Sequence, residues 1–411
     1  MKKLMKKITG IISLLTALAM LLLSGAAAET TTQAYQYSDM FTDRDLEQEA
    51  DLSEAVRYTA ADGQDIHITE AGVYVLSGSA SVVTVYVEAG KDDKVQIVLD
   101  GANITNTDFP VIYAKSADKV FVTVAGDSSL AVTGTFRADG DTKTDGVIFS
   151  KCDLVMNGTA ALTVNSTVNG IVCKDDLKIT GGTYMVTAGS KAFEANDSIR
   201  IAGGTLDLTA GTDGLHAENS DDDTLGYIYI AGGTLTINAG DDAIHGNSVV
   251  QVDNGSIGIQ AAEGIEGTYI RINGGTINIQ SRDDGINAAN KSSAYRATVE
   301  INGGDITVAM SAGDTDGIDS NGDIILNGGT VTITGNSSVD YDGNAQFNGG
   351  TLIVNGQRLS SIPNQMMGGG GRGGWGGMNN GGWGGQDSGG WGGQDNGGFG
   401  GGRGPGGRGG W

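Results

Sequence analysis

Proline, cysteine, histidine and basic side chains are scarce in this chain. Its 411 residues include three prolines, two cysteines, three histidines, and 25 lysines and arginines against 49 acids. With so little proline and no Gly-X-Y period, the 70 glycines do not make a collagen. Two cysteines, Cys152 and Cys173, are too few for a disulfide scaffold or a zinc cage. Whether these two bridge each other is open, since an exported chain permits it. A net charge of -24 without clustered Lys and Arg excludes nucleic-acid binding. Beyond residue 23 no apolar run is long enough to span a bilayer.

What is present begins with an export signal. Lys2, Lys3, Lys6 and Lys7 precede an apolar stretch from Ile8 to Leu23, and Ala26-Ala27-Ala28 supplies small residues for cleavage. Residues 1–28 are read as a signal peptide. Their removal takes four lysines and no acids, lowering the charge from -24 to -28. The mature chain is expected to be secreted or held at the cell surface, with no membrane span.

Gly-Gly corners recur at 181–182, 203–204, 232–233, 274–275, 303–304, 328–329 and 349–350, with Asn254-Gly255 in the same role. Counting between second glycines gives steps of 22, 29, 22, 20, 29, 25 and 21. Five and three residues before each marker, and two and four after it, all 32 positions are apolar, from Leu177/Ile179 and Tyr184/Val186 to Ala345/Phe347 and Leu352/Val354. Period-2 alternation on both sides of a glycine is a strand–turn–strand unit that buries its apolar face only by stacking. The expected fold is all-β, a parallel β-helix over residues 62–357. It would have about twelve turns and, at roughly 4.8 Å per turn, a length of about 55–60 Å. Residues 29–61 are expected to cap the first turn, with a helix from Asp43 to Val56. Asn273, Asn302, Asn327 and Asn348 each precede a corner and are expected to form an asparagine ladder.

The C-terminal residues 358–411 differ. From Gly368 onward 26 of 44 residues are glycine, and Trp375, Trp383, Trp391 and Phe399 recur every eight residues. Such a segment builds no core and is expected to be disordered. It is either a tether to cell-wall glycan or a solvated spacer.

A second motif follows each corner: Asp213-Gly214-Leu215-His216, Asp242-Ala243-Ile244-His245, Glu263-Gly264-Ile265-Glu266, Asp284-Gly285-Ile286-Asn287 and Asp316-Gly317-Ile318-Asp319. Stacking would set the acids roughly 5 Å apart, where each neighbouring pair repels by about 3 kcal/mol at an effective dielectric near 20. Protons or cations must enter, and oxygen ligands at this density outside a cell favour Ca2+. The candidate metal ligands are Asp213, Asp241, Asp242, Glu263, Glu266, Asp283, Asp284, Asp316 and Asp319. Asn247 and Asn290 are possible neutral oxygens, and His216 and His245 are ligands or hydrogen-bonded partners of the acids. Plain Asp-Gly turn chemistry explains most of the motif but not Glu263-Gly264-Ile265-Glu266. On the preceding strand Lys178, Arg200, Tyr229 and Arg271 form an outward stripe, suited to uronate carboxylates and a sugar face or to balancing the ladder.

The Phe41-Thr42-Asp43-Arg44-Asp45 opening, Ala71-Gly72-Val73-Tyr74-Val75-Leu76-Ser77-Gly78, Val98-Leu99-Asp100-Gly101, and the run from Asp213 through Glu263-Gly264-Ile265-Glu266-Gly267 to Asp284-Gly285-Ile286-Asn287 resemble the clostridial carbohydrate-binding β-helix family. That family is similar in fold to polysaccharide lyase family 9. The resemblance covers about 40–357. It implies a right-handed β-helix at the cell surface, calcium sites, and non-catalytic binding of plant cell-wall polysaccharide such as pectic polygalacturonate and cellulose. The alternatives are a calcium-dependent pectate lyase-like enzyme, for which Arg282 is a weak candidate base, and a structural surface adhesin.

Overall fold

A computed structural model describes residues 32–311 and 315–364. Residues 1–28, read from the sequence as a signal peptide, and all but the first residues of the C-terminal segment lie outside them. All 33 strands join one sheet, and every strand pair runs parallel except one. One repeat shows how the sheet coils. Ser198–Ile201 ends at the corner of Gly203 and Gly204, Thr205–Ala210 follows, and Leu215–Ala217 completes the circuit. Tyr227–Ile230 then lies directly on Ser198–Ile201, with Ile199 opposite Ile228. This return of the chain onto itself is the arrangement a parallel β-helix requires.

The apolar positions stack in register. Ile179, Ile201, Ile230, Val252, Ile272, Ile301, Leu326 and Phe347 form one inward column. Of the 32 apolar positions only Ala345, Phe347 and Val354, at the C-terminal end, are less than fully buried. The second glycine of each corner is needed twice over. Gly304 has φ +89, and a Cβ there would sit 2.9 Å from the Gly275 carbonyl in the corner below. The asparagine ladder forms as expected, with Asn302 donating to Asn273 at 2.8 Å, Asn327 to Asn302 at 2.7 Å and Asn348 to Asn327 at 2.8 Å.

The N-terminal segment departs from expectation. Its helical content is one short helix, Tyr37–Met40, and one 3-10 turn, Asp43–Leu46. The Thr42/Asp45 capping box starts that turn, and extended backbone ends it at Glu47. Its first part, residues 32–48, runs along the side of the rod because its groups are held there, while its last part, Val56–Thr59, pairs with Tyr74–Ser77 at the start of the sheet. The Tyr35 N–H donates to Gln251 Oε1 at 2.8 Å, Tyr35 stacks on Tyr227 at 4.6 Å, and Asp45 meets Lys178 at 2.8 Å and Lys119 at 3.1 Å. The sheet begins ahead of residue 62, with Val56–Thr59, and extends past 357, where Gln357–Leu359 folds back antiparallel on Leu352–Val354. Cys152 and Cys173 are free, buried thiols.

Candidate functional site

The motif after each corner builds two neighbouring columns on one lateral face. The two middle residues of each motif both face the core, since a Cβ on Gly214 would meet Ile237 and one on Gly285 would meet Val308, so the acid before them and the residue after them share the outer face. The second column is Glu194, His216, His245, Glu266, Asn287 and Asp319, each opposite the next. The same registers stack Lys191, Asp213, Asp242, Glu263, Asp284 and Asp316 in the first column. The strip is less solvated than the sequence suggests. Asp213, Asp242 and Glu266 are 6%, 7% and 5% exposed. Asp241 and Asp283 are exposed on its border.

Turn by turn the strip changes character. In its first three turns each acid has a base beside it. Lys191 Nζ lies 3.8 Å from Glu194, His216 Nδ1 2.8 Å from Asp213, and His245 Nδ1 2.8 Å from Asp242 and 2.7 Å from Glu266. The two imidazoles stack at 4.6 Å. Burial disfavours a charged His245, but the hydrogen bonds and charges of Asp242 and Glu266 outweigh it and raise its pKa to about 9. His245 is thus a hydrogen-bonded cation at neutral pH. Glu266 also accepts from Lys291 at 2.9 Å. Although burial opposes its ionisation, these partners hold Glu266 at about 2.

The last three turns are different. Among the described residues, no Lys, Arg or His pairs with Glu263, Asp284 or Asp319. Burial, then neighbouring carboxylates, push Glu263 up to about 7, Asp284 to about 6 and Asp319 to about 7. Asn287 donates to Glu263 Oε2 at 3.0 Å, while its own Oδ1 is buried without a partner among the described residues. The orphaned acceptor and these three carboxylates are all hard oxygen groups, although among the described residues the three carboxylates do not bring ligand atoms within 4.8 Å of one another. At Asp242, His245 and Glu266 the ligand atoms lie within 4.8 Å of one another. There, however, the imidazolium already occupies the cation's place. Residues 242–266 therefore divide the ligands anticipated from sequence into a neutralised half and an open half.

A groove of about 620 Å³ runs beside the strip. Gly211, Gly240, Ala261 and Arg282 in its lining each stand two residues ahead of an acid of the first column. Asn238, Gln260 and Gln280 stack in register along it, a row of carboxamides that the apolar pattern concealed. Their shared repeat position was the available signal. Arg282 is exposed on the groove and donates to the Gly240 carbonyl at 2.8 Å. Of the other cations near the ladder, Lys291 is committed to Glu266 and Arg296 to Asp323.

The stripe of Lys178, Arg200, Tyr229 and Arg271 is not an open surface, which corrects its reading as a sugar face. The N-terminal segment covers it. Lys178 pairs with Asp45, Arg200 donates to the Met40 carbonyl at 3.4 Å, Tyr229 packs against Phe41, and Arg271 donates to the Thr32 carbonyl at 2.5 Å. Tyr229 is 0% exposed. Alternation places these residues outward, but it carries no information about what lies on top.

A single coiled sheet thus carries a strip of stacked carboxylates beside a groove lined by Asn238, Gln260 and Gln280. The chain belongs to the carbohydrate-binding domain-containing protein family, whose pattern matches residues 62–315 and 262–358. A carbohydrate-binding domain-containing protein of Acetivibrio thermocellus is 38% identical over 130 residues, covering 30% of this chain and 46% of that protein. The matched region is thus less than half the length of that relative. Among solved structures, the gadolinium derivative of the polysaccharide lyase-like protein from C. thermocellum is similar with a TM-score of 0.41 and 25% identity, over 72% of this chain and 96% of that one.

Proposed function

We propose that this is an exported or cell-surface protein that binds an anionic plant cell-wall polysaccharide, pectic polygalacturonate foremost, through calcium held on the acidic strip, without cleaving it. The observation that carries the reading is the open half of the strip. Glu263, Asp284 and Asp319 stack without an ion-pair partner among the described residues, close to the orphaned Asn287 Oδ1. Glu263, Asp284, Asp316, Asp319 and Asn287 would hold the cation, an all-oxygen set of the kind calcium prefers. Calcium bound there would supply the positive charge that lets a polyanion approach an acidic protein. The residues of the groove would do the rest. Asn238, Gln260 and Gln280 offer hydrogen bonds to sugar hydroxyls at successive turns, and Arg282 offers N–H groups to a carboxylate. Cellulose lacks the carboxylates this chemistry uses. It would instead meet the hydroxyl-rich outer strip of Thr205, Thr234, Ser256 and Thr276, which stack in register.

The test is electrophoresis of the mature protein through native gels cast with polygalacturonate. Retardation is expected with calcium and should largely disappear with a chelator. Equal retardation in both would remove calcium from the account, and unsaturated products in the gel would make the protein a lyase.

A further inference from the structure

The strip that becomes unneutralised toward the C-terminus has the opposite character at its other end. There a cavity of about 290 Å³ is lined by Lys143, Lys174 and Lys191, with Phe149, Asn169 and Glu194 among its other walls. Three lysines line one cavity in a chain whose acids outnumber its lysines and arginines by 49 to 25. Two carboxylates, Asp145 and Glu194, face them. Lys143 lies 2.8 Å from Asp145 and Lys174 2.7 Å from Glu194. Lys191 has Glu194 only at 3.8 Å, and Glu194 is shared further with Asn169 Nδ2 at 2.9 Å. Each ammonium carries three N–H groups, so the walls hold more donors than their own carboxylates use. The position also matters. Lys191 heads the first column, one turn ahead of Asp213, and Glu194 heads the second, one turn ahead of His216.

We infer that the cavity walled by Lys143, Lys174 and Lys191 is a second subsite, which takes a sugar carboxylate of an anionic polysaccharide directly, without a metal. The inference rests on the proposed uronate ligand and adds a place where that ligand needs no calcium. A polyuronate laid along the strip repeats its carboxylates at intervals comparable with the spacing of the turns, about 4.8 Å. Its carboxylates meet ammonium groups at the N-terminal end and need a bridging cation only at the C-terminal end. The sign change along the strip thereby fixes two components of binding. One is sensitive to chelator and the other to salt, since pairing with exposed ammonium groups is screened.

The experiment measures binding of an oligogalacturonate of defined length to the full mature chain by calorimetry, in excess chelator, at low and high salt, and then with calcium. Binding in chelator is expected at low salt and should fade at high salt. Lys143→Gln/Lys191→Gln is expected to weaken it about tenfold while leaving the increment gained on adding calcium. Lys143→Gln alone, at a side chain that is 84% exposed, guards against a folding defect and should weaken it about threefold. The inference is overturned by absent binding in chelator at low salt, by variants that bind as the parent does, or by a neutral cello-oligosaccharide that binds equally well. Loss of the calcium increment alone would count against the strip as a calcium site and leave this subsite standing.

Discussion

Asp45→Ala is expected to cost about 3–5 kcal/mol of stability, the largest effect of any single substitution in the N-terminal segment. The carboxylate is 0% exposed. Its two oxygens reach Lys119 at 3.1 Å and Lys178 at 2.8 Å, and it accepts the Thr42 N–H at 3.1 Å. Alanine would leave Lys178, whose side chain is 7% exposed, as a buried charge without its partner. Burial works against an ionised Asp45, but Lys178 and Thr42, with Lys119, outweigh it and hold the carboxyl at about 2, against an ordinary 3.8. A depressed carboxyl stabilises above its unfolded pKa. This contribution is therefore complete above pH 4 and is lost as pH falls through about 2. Urea denaturation of the parent and Asp45→Ala proteins checks both statements. A cost under about 1 kcal/mol would mean that the segment lies on the rod without bracing it.

Without calcium, the stability of the rod is expected to fall as pH rises from about 4 to 9, which is the reverse of Asp45. Glu263, Asp284 and Asp319 have raised folded pKa values of about 7, 6 and 7. Acids raised on folding contribute stability that is present below their unfolded values and lost as pH rises through the folded ones. His245, raised to about 9, behaves likewise from 6.5 upward. After discounting for solvent screening, the decline amounts to at least about 2 kcal/mol. Calcium should reverse the slope, since it binds the ionised carboxylates, and at a hundredfold excess over its dissociation constant it adds about 2.7 kcal/mol. Thermal unfolding across this range, in chelator and in calcium, reads both slopes. Superimposable curves would contradict a cation site on the strip.

Much of the scaffold could be read from residue order. The glycine corners and the flanking apolar pairs gave the strands, their register and the buried columns, because each repeat solves the same packing problem. The acidic motif, at a nearly constant offset from each corner, gave the two outward columns. The division of those columns was less legible. It depends on His245 reaching both Asp242 and Glu266, and on the loop carrying Lys291 over Glu266, and neither contact has a period. Tertiary packing also decides the fate of Lys178, Arg200, Tyr229 and Arg271. Residues 32–48 have no repeat of their own, and nothing local says which face they will cover. The asparagine ladder was recoverable because its members share one repeat position. The amides of Asn238, Gln260 and Gln280 share one too, masked by the stronger apolar signal beside them.

The central claim is that the open half of the acidic strip holds calcium. Calorimetric titration of the mature, chelator-treated protein with calcium tests it most directly, with Glu263→Gln/Asp284→Asn alongside. The account predicts saturable binding by the parent chain and its loss, or a weakening of at least about a hundredfold, in the variant. A parent chain that takes up no calcium, or a variant that binds it as tightly as the parent, would contradict the claim.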